Sequence, residues 1–122
     1  MKDSINIPEK VSNLTYLTQL SKGNTEFVQE MLAIFLEENP IEIKSFEDAI
    51  KEKDFEQIQA IAHHMKSTTP FVGIDTHIRE ELIETEKLAK LKTDIDTISI
   101  HFTKIKRICL KALEELNSGI TK

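Results

Sequence analysis

From Ile95 to Leu116 the apolar residues Ile95, Ile98, Phe102, Ile105, Cys109, Ala112 and Leu116 recur at steps of three and four without a miss. At 3.6 residues per turn such a set falls on one stripe of an α-helix. A single stripe has nothing to bury itself against, so the chain must supply other helices with matching faces. Upstream segments do so. Val28, Met31, Leu32 and Phe35 form one set, Ile43, Phe46, Ala49 and Ile50 a second, and Ile58, Ile61, Met65, Thr68 and Val72 a third. Ile78, Leu82, Thr85 and Ala89 form a fourth, and Leu14, Leu17 and Leu20 mark a short N-terminal helix.

Boundary residues punctuate these stripes. Ser12 or Asn13 caps the short helix, which ends near Ser21-Lys22-Gly23, and Asn24 caps a helix over 25–38. Asn39-Pro40 stops that helix and opens another that fades into Lys51-Glu52-Lys53. Asp54 caps the next, with Gln57 as its capping-box partner; it runs to Val72 with a loosened last turn at Pro70 and ends at Gly73. Asp75 caps a helix over 75–90, and Thr93 or Asp94 opens the last, over 94–117, which ends at Asn117-Ser118-Gly119. Residues 1–12 read as a loose lead. Connections of a few residues require antiparallel neighbours. The expected fold is an all-α, antiparallel up-down four-helix bundle with short additional helices at one end, in one domain over 1–122.

Composition narrows the function classes. Sixteen basic against twenty-one acidic residues leave a formal charge of −5, which argues against nucleic acid or an anionic membrane as the main partner. The single Cys109 excludes an intrachain disulfide and suits a reducing compartment. The N-terminus lacks an apolar signal core and no apolar run approaches a membrane span, so a cytoplasmic protein is expected.

The stretch Ile61 to Gly73 carries the candidate chemistry. Ile58, Ile61, Met65, Thr68 and Val72 take the side of the helix opposite His63, while Glu56, Gln59, Lys66, Ser67 and Pro70 share its outer face and Ala60 flanks it without bulk. His63 therefore sits on a wet, uncrowded ridge with Lys66 one turn on. His64 points about 100° away, toward the flank shared with Gln57 and Phe71. A neutral imidazole is a nucleophile at neutral pH and can carry a phosphoryl group on nitrogen, and a nearby lysine offsets the charge of the adduct.

Ala62-His63-His64-Met65-Lys66-Ser67, with Gly73 ten positions after His63, resembles the A-H-x-L-K-G-x-x-x-x-x-G signature of histidine-containing phosphotransfer (HPt) domains. Ser67 stands where that family usually has glycine, and Met65 where it has leucine. The resemblance extends over nearly the whole chain. It implies an HPt-like bundle of helices 25–38, 55–72, 75–90 and 94–117, and a phosphorelay carrier without an ATP site. His63 would be phosphorylated at Nε2, Lys66 would be the charge partner, and Gln59, Ala60, His64, Ser67 and Pro70 would form the docking surface. The Ser67 hydroxyl would be within reach of the phosphoryl group. Partners would be response-regulator receiver domains and a hybrid histidine kinase. The chain would be a monomer holding no cofactor or metal, with Mg²⁺ bound only on the receiver.

Competing readings are weaker on the residues. A di-iron bundle uses Glu-x-x-His pairs, but Ala60, Ile61, Ile74 and Ile98 lie three before the four histidines. No oxyanion site accompanies Glu56 for nucleophile-plus-base catalysis, and Cys109 lies on an apolar stripe. A histidine-kinase dimerisation helix places an acidic residue directly after its histidine, where this chain has His64, and no Gly-rich nucleotide motif is present. A bundle that docks a receiver or kinase without carrying phosphate is the second functional class. His77 and His101 read as surface residues.

Overall fold

The structure, a computed structural model, describes residues 7–118. Among these, five α-helices and one 3₁₀ turn, and no strand, follow one another: α1 (Thr15–Ser21), α2 (Thr25–Lys51), α3 (Phe55–Thr68), the 3₁₀ turn Thr69–Val72, α4 (Asp75–Lys90) and α5 (Ile95–Ser118). α2, α3, α4 and α5 pack in a ring in which each touches the next and α5 closes onto α2. α1 lies against α2 and the 3₁₀ turn. The inner stripes supply the core. Ile58, Met65, Ile78, Leu82, Ile98, Ile105 and Ile108 are wholly buried, and the Phe46 and Phe102 rings meet at 4.7 Å between α2 and α5.

The expected break at Asn39-Pro40 does not occur: α2 runs unbroken for 27 residues with Pro40 inside it. Asn39 is not an exposed cap but is buried at 3 % exposure, its Nδ2 3.8 Å from Cys109 Sγ. The buried set Phe35, Asn39, Ile43, Phe46 and Ala49 runs straight through the proline, whose ring lies on the exposed side. Proline removes one helical hydrogen bond, but a continuous buried face on both sides of it outweighs that local loss.

Other boundaries follow their local chemistry, with three exceptions, the first being α1, whose cap is Leu14 with no side-chain capping bond rather than Ser12 or Asn13, although Asn13 Oδ1 accepts from the Thr15 amide. The Asn24 side chain accepts from the Phe27 amide and the Asp54 side chain from the Gln57 amide. The Asp54 amide bonds to the Ala49 carbonyl, so the reciprocal half of a capping box is not used. Asp75 lies inside the first turn of α4; Ile74 is the cap, with no side-chain bond. Pro70 does loosen the end of the third helix, which tightens into the 3₁₀ turn and stops at Gly73. Gly73 has φ +75°, and a Cβ there would lie 2.7 Å from Asn13 Cβ and 2.9 Å from Asn13 N. Left-handed backbone and a close neighbouring chain both demand glycine.

The loose-lead expectation is corrected at its end, while residues 1–6, like Gly119, lie outside the described residues. Val11 and Ser12 are buried. The amides of Val11 and Ser12 and the Ser12 hydroxyl all donate to the Glu115 carboxylate of α5, and the Asn13 amide donates to the Val72 carbonyl at 2.8 Å. Burial works to raise the pKa of Glu115, but the Ser12 and Val11 bonds outweigh it and hold the carboxyl below its ordinary value. A depressed folded-state pKa contributes stability above the unfolded value of 4.5, lost as pH falls through the folded value. Glu115→Gln should therefore lower the melting temperature at neutral pH and flatten its decline with acid. Parallel thermal melts from neutral pH down through this transition check it; identical pH profiles for wild type and variant would refute it.

Candidate functional site

α3 presents His63 to solvent, its side chain 72 % exposed, because Ile58, Ile61, Ala62 and Met65 occupy the opposite, buried face. Its Nδ1 lies 2.9 Å from Glu86 Oε2, and Lys66 Nζ lies 2.7 Å from Oε1 of the same carboxylate. Glu86 comes from α4, one position past buried Thr85 and at the edge of the inner stripe. The Lys66 bond holds its carboxyl below the ordinary value; burial opposes this and the His63 bond reinforces it. An ionised carboxylate only accepts, so Nδ1 donates to it. In the neutral ring Nε2 then carries the lone pair.

His64 repeats the arrangement on the other flank. Its Nδ1 lies 2.6 Å from Glu42 Oε2 of α2, and its side chain is 55 % exposed. Charge separates the two sites. Lys66 accompanies the His63–Glu86 pair, whereas Glu38 lies beside the His64–Glu42 pair, and burial raises the Glu42 pKa despite the His64 bond. His63 is thus flanked by a carboxylate–lysine pair and His64 by two carboxylates.

Ala60 and Ser67 are exposed, and Gln59 and Pro70 half-buried. Two expectations change. The Ser67 hydroxyl is turned back to donate to the His64 carbonyl at 2.8 Å, as serines in helices commonly do. Lys66 does not stand free on the ridge: its side chain is 31 % exposed and held by Glu86. His101 is also more covered than a surface residue, with 20 % of its side chain exposed and Glu84 at 3.2 Å. Cys109 is an inert core thiol, its pKa pushed up to about 12 by burial. Among the described residues no cluster of three or more His, Cys, Asp or Glu side chains could hold a metal ion, and no helix is long and apolar enough to cross a membrane.

The helical bundle thus presents an imidazole on an open ridge, with its Nδ1 and Lys66 Nζ bonded to one carboxylate. The family model of the Hpt domain matches residues 30–99, more than half of the chain, and the protein belongs to that family. No curated protein and no solved structure matches significantly. Hpt domains are phosphocarriers rather than catalytic domains, and take part in two-component phosphotransfer with receiver domains and kinases.

Proposed function

We propose that the chain is a phosphorelay intermediate in which His63 accepts a phosphoryl group from the aspartate of one receiver domain and passes it to another. The observation that supports this reading is the shared Glu86 carboxylate, which bonds both His63 Nδ1 and Lys66 Nζ and so leaves Nε2 as the ring nitrogen not engaged by it. In the forward step the Nε2 lone pair attacks phosphorus, the N–P bond forms, and the aspartyl O–P bond breaks with its electrons going to the aspartate. The ring becomes a phosphoimidazolium, and Glu86 offsets its charge across the Nδ1–H bond. The adduct carries roughly two negative charges on phosphate. Lys66 can turn from Glu86 to meet them. The return step breaks N–P and restores the neutral ring. Mg²⁺ and catalytic groups belong to the receiver; this chain is a monomeric, cytoplasmic carrier that takes no phosphate directly from ATP. Gln59, Ala60, His64, Ser67 and Pro70 form the surface on which the receiver docks.

Lys66 and Ser67 test the ridge. Lys66→Ala should slow transfer or shorten the phosphohistidine lifetime while changing stability by no more than about 1 kcal/mol, as for a partly exposed ion pair. Ser67→Phe should block docking sterically and leave the nucleophile untouched. Time courses of transfer from a phosphorylated receiver, alongside thermal melts, read both; normal transfer in both variants would mean that the partner does not dock on this ridge.

A further inference from the structure

The 3₁₀ turn Thr69–Val72 ends the histidine helix. It carries Pro70, on the docking face, and Phe71, which lines a cavity together with His64. Within its own segment the turn is closed by the Gly73 amide on the Pro70 carbonyl at 3.1 Å and the Ile74 amide on the Thr69 carbonyl at 3.3 Å. Pro70 has no amide to donate, so the ladder that continues α3 is one hydrogen bond short there. Further ties come from the N-terminal segment. The Asn13 amide donates to the Val72 carbonyl at 2.8 Å, the Tyr16 and Phe71 rings lie 6.1 Å apart, and α1 packs on the turn. Asn13 also occupies the space beside Gly73 that a Cβ would need.

The segment that holds the turn is itself anchored on a buried carboxylate. The Val11 amide donates to Glu115 Oε2 at 2.9 Å, and the Ser12 amide and hydroxyl donate to Oε1 at 2.8 and 2.5 Å. Residues 7–14 belong to no helix, so the buried Val11 and Ser12 amides have no helical carbonyl to meet. Glu115 satisfies both from more than a hundred positions away. Its carboxylate, 2 % exposed, depends on those donors in return, because a buried charge without them is costly. Anchor and strap therefore stand or fall together. We propose that Glu115 is a positioning residue for receiver docking: through residues 11–13 it holds the 3₁₀ turn, and with it Pro70 and Phe71, in register with the face around His63. This rests on the relay reading above, in which the receiver docks across Pro70.

The test sets two readouts of the whole protein side by side: affinity for a receiver domain that binds it, and labelling by phosphoramidate, which needs no docked partner. Glu115→Gln leaves one accepting oxygen for the three donors. Gly73→Ala pushes Asn13 away at the other end of the strap, and Ser12→Ala removes one of the three bonds. Release of the strap should speed hydrogen exchange of the Ile74 amide more than exchange at the centre of α5. If the turn is then in place in about one molecule in ten, the receiver Kd rises about tenfold in Glu115→Gln and Gly73→Ala. Ser12→Ala, which keeps both amide bonds, should show a smaller rise in the same direction, and it carries the test if the other two do not fold. Phosphoramidate labelling of the folded variants should match wild type. Unchanged receiver affinity in every folded variant would overturn the proposal. So would a parallel fall in phosphoramidate labelling, which marks a general loss of structure. A wild type that phosphoramidate never labels sinks the relay reading, whereas a labelled wild type whose strap variants bind the receiver normally sinks only this one.

Discussion

His63→Gln abolishes phosphoryl uptake and leaves the fold intact: this is the largest effect expected of any single substitution. The side chain is 72 % exposed and, among the described residues, bonds only to Glu86, so its loss removes little packing, and surface changes of this kind stay within about 0.5 kcal/mol. Glutamine keeps a polar side chain but has no ring nitrogen to form the N–P bond. With phosphoramidate, which needs no docked partner, as donor, His63→Gln should give no label. His64→Gln should retain label, because the carboxylates beside His64 disfavour an anionic adduct there. Acid-labile phosphate counted on each variant, with melting temperatures, decides it. A dead His64 variant beside a labelled His63 variant would exchange the roles of the two faces.

Met65→Ala should be among the most damaging changes to stability on the histidine helix. Met65 is wholly buried between His64 and Lys66, on the face that holds α3 against the bundle. Truncation removes its transfer free energy and leaves a cavity that the bundle only partly fills, a combined cost of about 2–5 kcal/mol. Urea denaturation should show a lowered midpoint with an unchanged slope. Uptake by the fraction still folded should persist, since Met65 faces away from the ridge. An unchanged midpoint would mean the core lies elsewhere.

What was readable in the sequence follows the range of the interactions concerned. The stripe from Ile95 to Leu116 needs only helical period to interpret, and it became the buried face of α5, with Ile95 and Leu116 at its half-covered ends. The exposure of His63 and burial of Ile61 and Met65 follow from the same arithmetic within one helix. Gly73 was legible as a helix stop; the close approach of Asn13, sixty positions earlier, was not. Asn39-Pro40 misled because a local stop signal carries no information about Cys109, seventy residues away, beside which Asn39 is buried. The apolar stripe of α4 leaves Glu86 outside it, and no local pattern singles out Glu42. Their partners lie 23 and 22 residues distant, so pairing depends on the rotation and register of neighbouring helices. The one available signal was the place of Glu86 at the edge of the stripe, four residues after Leu82. Likewise nothing near Glu115 announces that residues 11 and 12 will donate to it.

The most direct measurement of the relay claim follows one phosphoryl group through the protein. A receiver domain carrying radiolabelled aspartyl phosphate is mixed with the wild-type chain, the label is located by peptide mapping under alkaline conditions, and a second receiver is then added. The account predicts acid-labile, alkali-stable label on His63, which then moves to the second receiver. Label on His64, or no transfer from the first receiver to a correctly folded chain, would contradict it.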